Sequence, residues 1–498
     1  MVNVPFVRLA EVEIDDNAVR LLGHEYALKF AALPISIEGE FLKVAMAEPS
    51  NFNIISDLSD LTGKIILPIL AEKSDLEFYI DQVFAKAKVE EIESRFMLNL
   101  REDKSDSEFD YGIDFEAKIA NAPAVQLVDS LIESAVLKRA SDIHIEPYGR
   151  NLRVRFRIDG RLVAHKNVDI SLLANVISRL KVLGGMDIAE KRMPQDGSFS
   201  MEVGRRKIDL RLSTLPTVEG EKIVIRLLKK IRLAKGDLGF FPDDLERLTK
   251  LFTRPFGAIF MTGPTGSGKS TTLNCFLEEL NDEEKNIVTV EDPVENPIPG
   301  ISHVTAQRQL TFADALRHIL RQDPDIIMVG EIRDEQTARI AISAAITGHV
   351  VLSTLHTNDA AGVVERLCDM GLEPYLIAAA LNGVVSQRLV RRICRECATD
   401  SILTLQQSQI LKISPKTPVR CGAGCVHCDF TGFHSRIAIY EYFAMNESHR
   451  RKMSEDPAGF AATVRGYGGL RKNALRALEA GFTTADEIIG ALNFDEVE

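Results

Sequence analysis

Residues 263–271 read Gly-Pro-Thr-Gly-Ser-Gly-Lys-Ser-Thr, and this stretch decides the fold class of the chain. Gly263, Gly268, Lys269 and Ser270 stand at the spacing of a phosphate-binding loop. The loop follows the apolar run Ala258-Ile259-Phe260-Met261 and precedes Thr272-Leu273-Asn274-Cys275-Phe276-Leu277, so strand, loop and helix come in the required order. The glycines let backbone N–H groups curl round an anion at a helix N-terminus, where the helix dipole also favours negative charge. Lys269 is placed to reach the β- and γ-phosphates, and the Ser270 hydroxyl to ligate Mg²⁺. The pattern predicts a nucleoside-triphosphate cradle built from Gly263, Pro264, Thr265, Gly266, Ser267, Gly268, Lys269, Ser270 and Thr271. A plain glycine-rich turn is the alternative.

Bulk composition narrows the class further. At 498 residues the chain is too long for one hydrophobic core, and about two to four domains are expected. Apolar residues make up 45% and charged residues 27%, as in a soluble globular protein. The formal charge of −12, from 60 basic and 72 acidic side chains, argues against a nucleic-acid binder and against direct adhesion to anionic lipid. The start, Met1-Val2-Asn3-Val4-Pro5-Phe6, lacks the cationic residues and apolar stretch of a signal peptide. The most apolar stretch, Tyr375 to Val385, falls short of the ~18 residues a membrane span needs and is broken by Asn382 and Gly383. Seven cysteines without a secretion signal point to a reducing compartment and to free or metal-bound thiols. A cytoplasmic location is expected, with membrane association only through a partner.

Along the chain, residues 1–86 read as a small α/β domain. Apolar runs between Ala31 and Met46 flank a Glu38-Gly39-Glu40 turn, which predicts a hairpin, and helices are expected over 51–62 and 74–87. Residues 87–119 read as a charged linker, with seven acids against three bases between Arg101 and Lys118. A second α/β domain is expected over 120–232. In it Val128, Leu131, Ile132, Ala135 and Val136 lie at helical spacing, and Leu152 to Ile158 alternates strictly into an Asp159-Gly160 hairpin turn. A helix over 171–183 and strands over 207–212 and 222–228 complete it. The third domain, 233–498, holds the phosphate loop and begins near Gly236–Phe241.

Three further segments bear on the triphosphate site. Ile287-Val288-Thr289-Val290 delivers Glu291 and Asp292 at a strand end that Pro293 stops. Acids at the carboxyl edge of a parallel strand can hold Mg²⁺ waters or a nucleophilic water; an acidic surface turn is the alternative. Asp325-Ile326-Ile327-Met328-Val329-Gly330-Glu331 has the apolar run of a second nucleotide signature, but Gly330 replaces the usual aspartate. The carboxylate duty then falls on Glu331, which becomes the group to polarise the attacking water, with Mg²⁺ relying on Ser270, the phosphates and waters. Capping of the following helix is the other use open to Glu331. His356, ending the run Val350-Val351-Leu352-Ser353-Thr354-Leu355, either contacts the γ-phosphate side or is structural.

Together these motifs resemble the secretion ATPases of bacterial type II secretion and type IV pilus assembly. The resemblance is carried by the loop, by Thr289-Val290-Glu291-Asp292-Pro293-Val294-Glu295, by Arg321-Gln322-Asp323-Pro324-Asp325 through Gly330-Glu331-Ile332-Arg333-Asp334, and by the segment ending at His356. Upstream, Ala140-Ser141-Asp142-Ile143-His144-Ile145-Glu146-Pro147, Met193-Pro194-Gln195-Asp196-Gly197, Asp209-Leu210-Arg211 and Gly220-Glu221-Lys222 also match. The similarity runs from about residue 120 to the end, and more loosely over 20–85. It implies an ATP-hydrolysing RecA-like motor domain preceded by a PAS-like α/β domain, assembled as a homo-hexamer. It also implies that Arg211 and Arg226 complete the active site, which suits a guanidinium aimed at the γ-phosphate. Arg211 alternates with Asp209, so a surface salt bridge is the competing role. Arg153, Arg155 and Arg157 form a basic stripe, read as a solvated or ring-contact face rather than a nucleic-acid site.

Cys394-Arg395-Glu396-Cys397 and Cys425-Val426-His427-Cys428 are two Cys-x-x-Cys pairs separated by 27 residues. Four such thiolates suit one tetrahedral structural Zn²⁺ within a module spanning 394–436. A redox pair would want a helix start and leaves the second pair unexplained. Cys421 is a rival ligand at a poorer spacing, and Cys275 and Cys368 read as packed helix residues. In the resembled family this module marks secretion and pilus-extension members. Phe433 and Ser435 stand where tyrosine and glycine are commoner in it.

The resemblance, the length and the single small N-terminal domain point to a motor for type II secretion, binding ATP, Mg²⁺ and Zn²⁺. Its N-terminal domain is expected to dock on the cytoplasmic domain of a bitopic inner-membrane protein, alongside a polytopic platform protein. Some members bind a cyclic dinucleotide through an Arg-Leu-Gly-x-x-Leu motif, which is not found here. A pilus-assembly motor is the nearest alternative; a DNA-translocating ATPase or a non-catalytic adaptor is a more distant one.

Overall fold

The computed structural model describes residues 5–492, apart from 8, 10, 11, 13, 74, 77, 78, 81, 82, 85–122, 205 and 229–232. It divides into two units, Met1–Lys229 with Cys425–Phe430, and Lys230–Gly424 with Thr431–Glu498. The expected linker over 87–119 lies outside the described residues, as does much of the helix expected over 74–87.

The first unit opens with a three-stranded sheet of β1 (Ala32–Glu38), β2 (Phe41–Met46) and β3 (Ile65–Leu70). The first two strands form the expected antiparallel hairpin. A helix over Phe52–Thr62, capped by Asn51, carries the chain across so that β3 joins β2 in parallel. Leu33, Leu42, Val44, Met46 and Leu58 fill the core beneath.

Beyond it stands a six-stranded antiparallel sheet: β4 (Asp142–Tyr148), β5 (Asn151–Ile158), β6 (Arg161–Asp169), β7 (Gln195–Val203), β8 (Arg206–Thr217) and β9 (Gly220–Leu228), in the order β6-β5-β4-β9-β8-β7. Helix Pro123–Leu137 buries Val128, Leu131, Ile132 and Ala135 in the same core as helix Leu173–Leu183 and the sheet. Asp159 and Gly160, at φ 46° and 91°, make the tight turn between β5 and β6. The spacing argument did not anticipate β7, and the reason is physical. It is an edge strand on which no residue is fully buried, and its alternation, Phe199, Met201 and Val203 against Ser198, Ser200 and Glu202, is short and begins only after the polar stretch Gln195-Asp196-Gly197-Ser198.

The second unit is built on a seven-stranded sheet: β10 (Gly257–Thr262), β11 (Ile287–Glu291), β12 (Ser302–Thr305), β13 (Ile326–Val329), β14 (Val350–Leu355), β15 (Leu381–Ile393) and β18 (Phe433–Ala444). Their order is β12-β11-β13-β14-β10-β15-β18. All neighbours pair in parallel except the antiparallel edge β15–β18. Residues of β10, β11, β13 and β14 are buried throughout, as expected for a sheet covered on both faces. One apolar core joins the sheet to helices Phe312–Ile319, Glu335–Ile346 and Ala361–Asp369, and another to helices Pro242–Phe252 and Lys269–Leu280. The small hairpin of β16 (Ala398–Ser401) and β17 (Val419–Gly422) lies between β15 and β18 in the chain. Among the described residues, no helix is long and apolar enough to cross a membrane.

Candidate functional site

β10, β11, β13 and β14 end at Thr262, Glu291, Val329 and Leu355. Gly263, Glu291, Glu331 and His356 therefore share the carboxyl edge of one parallel sheet, where open α/β sheets bind ligands. The phosphate loop bridges β10 and the twelve-residue helix Lys269–Leu280. Gly263, Gly266 and Gly268 take φ values of 140°, 76° and 85°. A side chain is refused at the first and third on steric grounds as well. A Cβ on Gly263 would lie 2.2 Å from the Gln387 carbonyl oxygen, and one on Gly268 would lie 2.8 Å from Gln387 Nε2.

Lys269 is buried, and its Nζ donates to the Gly263 and Pro264 carbonyls at 2.8 and 3.0 Å. The ammonium is thus folded over the loop it would share with phosphates. Burial holds its pKa below the ordinary lysine range, and the Glu331 carboxylate opposes that shift. Pro264, Thr265, Gly266 and Ser270 are exposed, so the concave side and the Ser270 hydroxyl are open to a ligand. A helix N-terminus, three left-handed glycines and a cation paired only with carbonyls fit a triphosphate.

Glu291 is 8% exposed, which rules out a surface turn. Its Oε1 accepts from Thr289 Oγ1 at 2.8 Å and lies 3.2 Å from His303 Nδ1. His303 Nε2 accepts from the Ile298 N–H at 2.9 Å, so the ring proton sits on Nδ1, facing Thr289 Oγ1 at 2.7 Å. Gly330 stands in a tight place. A Cβ there would stand 3.3 Å from Glu291 Cα and 3.2 Å from the Val290 carbonyl, so Glu291 occupies the flank that a residue-330 side chain would need.

Glu331 does not cap the following helix. That duty belongs to Asp334, whose carboxylate accepts from the Thr337 N–H and hydroxyl at 2.8 and 2.9 Å. Glu331 instead meets Arg333 Nη2 at 2.6 Å and His356 Nε2 at 3.6 Å. His356 is about half exposed rather than a core histidine. Its pKa lies below the usual imidazole range, first through burial and then through the Lys269 and Arg333 charges, with Glu331 acting the other way. The ring is therefore neutral at pH 7.

In the first unit, Arg211 and Arg226 face each other across the β8–β9 pair. Arg226 Nε donates to Asp142 Oδ1 at 2.9 Å while its side chain stays 65% exposed. Asp209 is taken by the Ser200 hydroxyl at 2.5 Å. The basic stripe is anchored by carboxylates: Arg153 and Arg155 on Glu146 at 3.2 and 2.5 Å, and Arg157 on Asp142 at 3.7 Å.

The four cysteine sulfurs of Cys394, Cys397, Cys425 and Cys428 lie within 4.8 Å of one another, and Cys421 is not among them. Cys425 and Cys428 Sγ are 3.7 Å apart, the edge that a tetrahedron with Zn–S bonds of ~2.3 Å requires. The Gly424 N–H points at Cys397 Sγ and the Cys425 N–H at Cys428 Sγ, at 3.3 and 3.2 Å, as suits thiolates. The donor set fits zinc. Purified protein should carry about one zinc per chain; elemental analysis finding none would refute the centre. Ser435 adopts φ 71°, so it holds the left-handed turn that glycine would take more easily. Cys275 and Cys368 sit in helices Lys269–Leu280 and Ala361–Asp369, as expected.

Residues 117–490 match the family described as type II/IV secretion system protein, and residues 2–90 match the MshEN domain. The chain belongs to that secretion family. It is 40% identical to the type IV pilus assembly ATPase PilB of Myxococcus xanthus, over 98% of this chain and 88% of that one. It is 45% identical to type II secretion system protein E of Pectobacterium carotovorum, over 74% of this chain and 76% of that one. The structure of the pilus retraction motor PilT with bound ADP superposes with a TM-score of 0.50 at 25% identity, covering 73% of this chain and 96% of that one. Legionella pneumophila DotB shares the fold, with a TM-score of 0.54 at 22% identity, over 72% of this chain and 93% of that one.

In this secretion-family member, the residues that spacing could not reveal are polar and buried or half-buried. His303 and Thr289 hold Glu291. Thr262 and Thr357 tie the phosphate-loop strand to the His356 loop, with their hydroxyls 2.6 Å apart. Gln387 braces the loop itself. Each is a polar residue with no spacing motif of its own, and only a register between strands gives it meaning.

Proposed function

We propose that this chain hydrolyses ATP, and that the hydrolysis powers protein export through a type II secretion system. The observation that carries the chemistry is one sheet edge that holds both a phosphate loop, with the Lys269 ammonium donating to the Gly263 and Pro264 carbonyls, and the Glu331 carboxylate, 3.6 Å from His356 Nε2. On binding, phosphate oxygens would replace the Gly263 and Pro264 carbonyls as partners of Lys269. Ser270 would hold Mg²⁺ together with the phosphates, and the ion would supply charge neutralisation there. Glu331, with Glu291 behind it, polarises the attacking water. Neutral His356 meets the γ-phosphate side. Arg211 and Arg226, assigned by likeness to the family, stabilise the charge that develops in transfer.

A homo-hexamer in the cytoplasm completes the reading, held at the inner membrane through platform proteins bound by the N-terminal domain. The identity of 45% with a type II secretion protein E favours secretion. Pilus assembly is the second reading, favoured by the match to a PilB along nearly the whole chain. A pull-down from membranes separates them. Recovery of type II platform proteins is the expected result, and recovery of pilus platform proteins alone would overturn the secretion reading.

A further inference from the structure

We propose that Gln387 is a positioning residue of the triphosphate site, holding the phosphate loop in its binding conformation from the neighbouring strand. Thr262, the last residue of β10, pairs with Ser386 on β15, which puts Gln387 level with Gly263, the first residue of the loop. The side chain is 2% exposed. It reaches the helix end of the loop. Its Nε2 donates to the Ser267 carbonyl at 2.8 Å, and its Oε1 accepts from Thr272 Oγ1, in the first turn of the following helix, at 2.9 Å.

These two partners determine the orientation of the amide. A carbonyl can only accept, so the NH₂ group must face Ser267, and the oxygen is left for the Thr272 hydroxyl. Neither a carboxylate nor a thioether can reproduce both bonds. The backbone takes part as well. The Gln387 carbonyl oxygen and Nε2 are what a Cβ would strike at Gly263 and Gly268, so two of the motif's glycines are small because this residue presses against them. Behind Gln387, the β15–β18 ladder places it opposite Tyr440, a fully buried residue whose hydroxyl donates to Asp244 at 2.8 Å. The brace therefore rests on a packed wall.

A loop held at Ser267 and at its helix junction has its N–H groups already aimed at the anion. Without the brace the binding-competent conformation is less populated, and apparent affinity falls by that fraction. The effect belongs to binding, because Gln387 contacts neither Glu331 nor His356 through its hydrogen bonds.

The inference rests on the reading of 263–271 as a triphosphate site, and the experiment keeps the two apart. ATP and ADP affinities are measured by titration calorimetry on the full chain, with steady-state KM and kcat and thermal midpoints, for wild type, Lys269→Ala, Gln387→Met, Thr272→Val and the Gln387→Met/Thr272→Val pair. Gln387→Met should weaken ATP and ADP alike by roughly 5–30-fold, the range expected for losing one or two buried hydrogen bonds. KM should rise correspondingly, with kcat at saturating ATP within about threefold of wild type. Thr272→Val should show part of the same loss, and the pair should lose less than the sum because they share a bond. Affinities within twofold of wild type for both single variants, or a loss confined to kcat, would overturn the inference. Should Gln387→Met not fold, Thr272→Val decides alone by the same criteria. Failure of wild type to bind ATP, or normal binding by Lys269→Ala, would instead remove the triphosphate reading itself.

Discussion

Lys269→Ala is expected to abolish ATP binding and turnover. The ammonium is nearly enclosed by the loop, 7% exposed, and spends its hydrogen bonds on the Gly263 and Pro264 carbonyls. Burial already disfavours its charge, so a phosphate pair is the partner that would stabilise it most. Removing one member of a buried charged pair costs about 3–5 kcal/mol, or roughly 10²–10⁴ in affinity. The loss should appear as an ATP dissociation constant beyond the range of titration calorimetry and as phosphate release at background. The fold should persist, because alanine is a good helix former and the lysine sits in the first helical turn. Normal hydrolysis by this variant would overturn the assignment of residues 263–271.

Glu331→Gln separates binding from chemistry. The glutamine keeps the size of the side chain and can still meet Arg333, but it cannot take a proton from water or orient it as an anion. Loss of a positioned general base costs about 10²–10⁴ in rate. ATP affinity should stay within a few fold, since Glu331 pairs with Arg333 and His356 rather than with the phosphate loop and its charge would repel phosphates if anything. A single-turnover measurement with a saturating excess of enzyme reads the chemical step directly. Turnover near wild type would move the catalytic role to Glu291, whose buried carboxylate stands beside Gly330.

Much of the architecture was legible because its signals are local. Loop spacing, the alternation along Leu152–Ile158 and the helical face of Val128–Ala135 each depend on neighbours within a few residues, and the structure shows each element as read. The paired Cys-x-x-Cys spacing likewise anticipated the cluster of four sulfurs. The half-buried edge strand β7 escaped, because its alternation covers only Phe199 to Val203. Alternatives for single residues also stayed open at that level. Glu331 as a helix cap and Glu291 as a surface turn were excluded only by Asp334 taking the cap and by the burial of Glu291.

By itself, the sequence determined that a phosphate loop joins a strand to a helix, that acids and a histidine end the following strands, and that four thiols can share one ion. Only the tertiary structure decided which of these groups meet. Strand order β11-β13-β14-β10-β15 brings residues more than a hundred positions apart into register, and no local spacing encodes that order. It sets Glu291 against Gly330, Glu331 between Arg333 and His356, and Gln387 beneath the loop. Side-chain chemistry is written residue by residue, whereas distance across a sheet is set by hydrogen-bonded pairing of whole strands.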